Sequence, residues 1–98
     1  MIIDYNQQNS SQRYNLMAST VIPRPIAWIT TLNENGTINL APFSYFTPLS
    51  SNPATLVVSI GHKTNGEMKD TLKNIKRNKK CTICIASPEF LEPLHSQS

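Results

Sequence analysis

Short apolar runs alternate with polar stretches marked by proline or glycine, and this rhythm predicts a series of small elements. Residues 4–11 are polar. Residues 12–19 read as a short helix capped by Ser10 or Ser11, with Tyr14, Leu16 and Met17 as its apolar part. Pro23 and Pro25 hold the residues before them extended. Residues 26–32 (IAWITTL) are β-branched and aromatic and predict a strand. Asn33-Glu34-Asn35-Gly36 follows, and Asn-Gly favours the positive φ of a tight hairpin turn. Residues 37–40 then pair back as the second strand. Pro42 and Pro48 break up residues 41–52, which read as a long loop or an irregular helix. That segment carries Phe43, Tyr45, Phe46 and Leu49, so it has to lie against a core, a ligand or another subunit.

Residues 55–60 (TLVVSI) form an almost unbroken apolar run, the mark of a buried central strand. Residues 61–66 are polar and turn-rich. Residues 67–78 read as a helix, with Met68, Leu72 and Ile75 on one apolar face. Lys76, Arg77, Lys79 and Lys80 crowd its end, where cations meet the negative pole of the helix. Residues 81–86 predict a further strand. Ser87 caps a last helix with Pro88 at its first position, and no closing strand follows. The hairpin makes the sheet at least partly antiparallel. This order suits a small barrel or an open sheet better than a doubly wound fold.

The length of 98 residues suits one small domain. A charge of +3 is too weak a field to argue for nucleic acid, and the basic run at the helix end lacks interleaved aromatics, so it reads as a solvated face. The N-terminus has no secretory apolar region and no run is long enough to span a bilayer. The expected location is the cytoplasm, with no membrane or nucleic-acid partner. Cys81 and Cys84 are spaced as C-x-x-C, but residues three apart in a strand point to opposite faces, so they read as ordinary strand cysteines. No metal site is expected.

No nucleophile, His-based triad or carboxylate pair emerges, so any chemistry is expected to be carried by a cofactor. The best anion-binding candidate is the helix start at residues 65–71, where free amides meet Lys63, Thr64, Lys69 and Thr71. The same residues also suit a capped surface helix with solvated lysines. Thr30, Thr31, Asn39 and Ser44 place donors beside an apolar sheet, although threonine is also an ordinary strand former. Trp28 suits core packing or stacking on a ring.

Three runs, taken in order, carry more. RPIAWITT at residues 24–31, NLAPFSYFTPLSSNPA at 39–54 and HKTNGEMKDTLKNI at 62–75 resemble the flavin reductase-like proteins with an FMN-binding split barrel. The resemblance covers about residues 21–87. It implies a mainly β fold with short helices, a Greek-key split β-barrel that is incomplete in this chain. Residues 1–98 would be a single such domain truncated at its C-terminus: a fragment, a truncated product, or a minimal form that closes its sheet by oligomerising. It implies an FMN cofactor, NADH or NADPH as electron donor, a homodimer, and hydride transfer to flavin or flavin-mediated electron transfer. The alternative is a non-catalytic flavin-binding or oligomerisation fragment. Carried over by position, Trp28, Ile29, Thr30 and Thr31 would lie along the isoalloxazine and ribityl chain. Asn39, Ala41, Pro42, Phe43 and Ser44 would surround the ring. Ser59 to Lys63 would approach the ribityl-phosphate side. Lys69 and Thr71 would donate to the phosphate, with Asp70 organising them.

Overall fold

The structure is a computed structural model that describes residues 2–85. The helix expected after Ser87, and Ala86 at the end of the last expected strand, lie outside these residues. The elements run α1 (Ser10–Thr20), β1 (Ala27–Leu32), β2 (Ile38–Phe43), β3 (Phe46–Ser51), β4 (Ala54–Val58), α2 (Asp70–Asn78) and β5 (Thr82–Cys84).

The start of α1 is set by a reciprocal cap. The Asn9 side chain accepts from the Gln12 amide, and the Gln12 side chain accepts from the Asn9 amide, both at 2.9 Å. The cap is therefore Asn9 rather than Ser10 or Ser11, because only Asn9 has the glutamine three residues on that completes the box. No residue of α1 is buried.

The strongest local expectation is met. β1 and β2 form an antiparallel hairpin in register from Ala27↔Phe43 to Leu32↔Ile38. Its turn closes through Asn33 N–H to Thr37 O at 2.8 Å, with Gly36 at φ 88. Two expectations need correction. β2 continues through Pro42 to Phe43, and β3 follows after a bend at Ser44 and Tyr45, so residues 41–51 are mostly strand rather than loop. The prolines are tolerated because, among the described residues, β2 lies at a sheet edge and β3 pairs on one side only, with a register shift after Pro48. The buried central strand is also β1 rather than β4. β5 pairs antiparallel along its other side, giving the order β2-β1-β5, whereas among the described residues β4 pairs only with β3 in a separate two-stranded sheet.

The two sheets meet at a small core of Ala27, Ile29 and Phe43, against which Ala41, Phe46, Val58, Ile60 and Ile83 pack. Each fully buried aliphatic side chain is worth roughly 1.5–3 kcal/mol. Trp28 is buried as well, on the opposite face of β1.

α2 begins later than the residue pattern predicts. Lys63 N–H donates to Glu67 O at 2.8 Å, and His62 bridges Met68 in antiparallel fashion, so Glu67 and Met68 stay extended. The face that α2 buries is polar: Thr71 and Asn74 are buried, while Leu72 and Ile75 are half-buried. Cys81 and Cys84 are free thiols, both exposed.

Candidate functional site

Alternation along β1 decides what can share a surface. Ile29 and Thr31 face one side with their partners Ala41 and Asn39, while Trp28 and Thr30 face the other with Pro42 and Leu40. Trp28, Ile29, Thr30 and Thr31 therefore do not present their side chains to one ligand surface. Ile29 and Ala41 belong to the core.

Thr31, Asn39 and Thr71 come together beneath α2. Asn39 Nδ2 donates to Thr71 Oγ1 at 2.9 Å. Asn74 Nδ2 donates to Thr31 Oγ1 at 3.0 Å and to Asn33 Oδ1 at 2.8 Å. One turn further on, Asn78 Nδ2 donates to Leu32 O at 3.0 Å. Positions 71, 74 and 78 lie on one helix face, and together they clamp α2 to the hairpin through side-chain amides. Each such bond contributes a net of about 0.5–1.5 kcal/mol, and breaking the buried Asn74–Thr31 bond leaves a buried group unpaired. Residue-type reasoning missed Asn74 and Asn33. The available signal was an asparagine one turn beyond Thr71 on the inward face of the helix.

The clamp fixes the start of α2. Lys69 occupies the cap position, extended at φ −64 and ψ 150, and its side chain makes no capping bond. Lysine is a poor cap because it carries no acceptor, so the first-turn amides lack the oxygen that Ser, Asp or Asn would supply. Cations gather at this end. Lys69 Nζ lies 5.7 Å from the centre of the Phe43 ring, and Lys63 Nζ lies 4.0 Å from Asp70 Oδ1. Phe43, Lys63, Lys69 and Asp70 thus form one group: an aromatic face beside two amines and an uncapped helix start. This donor set fits a group with both a ring system and a phosphate, since the amides and dipole favour an anion and the aromatic ring supplies an apolar wall.

Ser44 and Ser59 lie near the corner between β2 and β3. Ser59 N–H donates to Tyr45 O at 2.9 Å, tying the end of β4 to the corner between β2 and β3. Ser44 Oγ accepts from Arg24 Nε at 3.4 Å. Among the described residues no cluster of His, Cys, Asp and Glu could hold a metal ion, and no helix is long and apolar enough to cross a membrane.

The chain matches the flavin reductase like domain over residues 17–97. It is 36% identical over 94 residues to YwrF of Bacillus subtilis, covering 96% of this chain and 45% of that protein. A protein of Aquifex aeolicus is 35% identical over 81 residues, covering 83% of this chain and 41% of its own length. The structure superimposes on nitrilotriacetate monooxygenase component B from Bacillus cereus with a TM-score of 0.88 and 31% identity, over 99% of this chain and 48% of that one. For the Pseudomonas fluorescens 2-nitrobenzoate 2-nitroreductase NbaA the TM-score is 0.82 at 32% identity, over 97% and 45% of the two chains. The chain spans about half the length of these relatives. Its antiparallel sheets and two helices, with no closed barrel among the described residues, are accordingly part of the split-barrel fold of these neighbours. With the domain match covering most of its length, the chain belongs to the flavin reductase like domain family, a family of flavin-related oxidoreductases.

Proposed function

We propose that the chain binds FMN as a flavin reductase-like oxidoreductase, taking part in hydride transfer from NADH or NADPH to flavin or in flavin-mediated electron transfer. The observation that carries this reading is the uncapped start of α2, flanked by Lys63 and Lys69 beside Phe43. When bound, the flavin supplies the hydride and electron chemistry. Lys63, Lys69 and the backbone amide of Asp70 hold its phosphate. Thr71 is 1% exposed as a whole residue and its hydroxyl accepts from Asn39, so it supports the site from beneath rather than donating to the phosphate. Asp70 holds Lys63 in place. The backbone from Ala41 to Ser44 packs against the ring and excludes water, with the buried Phe43 side chain supporting it from the core. Thr31 and Asn39 act indirectly, by pinning α2 so that its amides keep their direction. Ser59 borders the ribityl side, while Trp28, Thr30 and Pro42 support the strands from the opposite face.

A second copy of the chain is proposed to cover the open sheets. Leu32 and Ile38 on one sheet, and Leu49, Leu56 and Val57 on the other, are exposed apolar residues of the kind subunit interfaces bury. The same surface favours the second reading, a flavin-binding or oligomerisation module without turnover.

The test is titration with FMN, read by flavin fluorescence and visible absorption, on the wild-type chain and Lys69→Ala. Losing one charged hydrogen bond should weaken binding about tenfold. An unchanged affinity removes the phosphate assignment, and FMN retained without NAD(P)H oxidation supports the second reading.

A further inference from the structure

A cleft of about 420 Å³ opens between the C-terminal end of α1, the Arg24 loop and the β3–β4 hairpin. Its walls include Met17, Pro23, Pro25, Phe46 and Val57, stiff or flat apolar surfaces suited to a ring. Two polar groups in it are incompletely used. The Tyr45 hydroxyl is buried and has no hydrogen-bond partner among the described residues. Arg24 donates from Nη1 to Ala18 O at 2.6 Å and Val21 O at 2.8 Å, and from Nε to Ser44 Oγ, but Nη2 makes no hydrogen bond among the described residues. The guanidinium lies 5.2 Å from the centre of the Tyr45 ring, so the two groups are neighbours. No carboxylate neutralises Arg24 among the described residues, where the ion pairs are Lys63–Asp70 and Arg77–Glu34.

An unpaired buried hydroxyl costs stability, and so does a half-buried cation without a counter-charge. Both costs vanish if one acceptor-only anionic group enters and the Tyr45 hydroxyl turns to meet it. A carboxylate accepts from a guanidinium and from a phenol at once. We propose that this cleft binds a planar aromatic carboxylate, its ring against the proline and aromatic walls and its carboxylate on Arg24 Nη2 and the Tyr45 hydroxyl. Ser44 and Ser59 also line this cleft, so it adjoins the proposed flavin surround. It is tested without flavin, so that its failure is separable from failure of the flavin reading.

The experiment follows amide NMR shifts of the full chain titrated with benzoate, and with benzamide as the neutral isostere. Saturable shifts should centre on residues 44–47 and 57–59, and benzamide should bind about tenfold more weakly, as expected when a charged hydrogen-bonded pair is replaced by a neutral one. Tyr45→Phe deletes only the hydroxyl. It should weaken benzoate about three- to tenfold while keeping or raising the melting temperature, since an unsatisfied buried group is removed. Arg24→Gln should weaken it further. Because Arg24 also caps α1, Tyr45→Phe is the deciding variant should Arg24→Gln unfold. Benzoate binding unaffected by Tyr45→Phe, equal binding of benzamide, shifts confined to the start of α2, or no saturable shifts would each overturn the proposal.

Discussion

The two sheets of this small chain are built to different standards. The β2-β1-β5 sheet with α2 carries every buried residue among those described: Ala27, Trp28, Ile29, Thr31 and Phe43 on the strands, Thr71 and Asn74 on the helix. The β3–β4 hairpin and α1 carry none, and their apolar residues Tyr14, Met17, Leu49, Leu56 and Val57 stand exposed. The first region satisfies itself, with strand pairing on both sides of β1 and amide bonds pinning the helix. The second touches the core only through partly buried side chains such as Phe46 and Val58. The lesson concerns placement of function. The proposed phosphate site rests on the region that completes its own packing, where amides can be held in fixed directions. The cleft beside Arg24 rests on the region with unmet polar and apolar groups, where a ligand gains most by completing the packing.

This contrast can be broken by mutation. Ile29→Ala should have the largest effect, a loss of about 2–5 kcal/mol from lost burial and the cavity left behind, read by urea unfolding. A small loss would mean that the core does not lie where the two sheets meet. Asn74→Ala should come next. It strands Thr31 Oγ1 and Asn33 Oδ1, for about 1–3 kcal/mol. Amide hydrogen exchange should quicken along α2 and leave the β3–β4 hairpin unchanged; a uniform change would erase the distinction between the regions. Gly36→Ala should cost about 1–2 kcal/mol, the penalty of a left-handed backbone, because Gly36 sits at φ +88 while a Cβ there would meet nothing within 4 Å. Thermal melting checks this, and an unchanged midpoint would show that the turn relaxes. Leu56→Ala should matter least in the lone chain, shifting stability by less than about 0.5 kcal/mol at concentrations where a second copy is dissociated, since Leu56 is 51% exposed there. A larger loss, read by the same melting, would show that β4 is covered in solution.

Local signals in the chain were legible, and long-range ones were not. The Asn-Gly hairpin follows from the φ preference of a few adjacent residues. The lysine-rich helix start could be found from composition, but its first residue could not, because the Lys63–Glu67 and His62–Met68 pairings hold the preceding residues extended. β3 was hidden by Pro48 and its serines, which only a one-sided pairing tolerates.

By itself the sequence determined the β1–β2 hairpin, the presence of both helices, the cationic helix start and the family motifs in their order. Each depends on residues close together in the chain. Tertiary structure alone decided that β1 rather than β4 is central, that α2 docks through Thr71 and Asn74 rather than an apolar stripe, and that Arg24 meets Ser44 and Tyr45. Those outcomes depend on partners brought together across intervening elements, and no local preference encodes which partners meet.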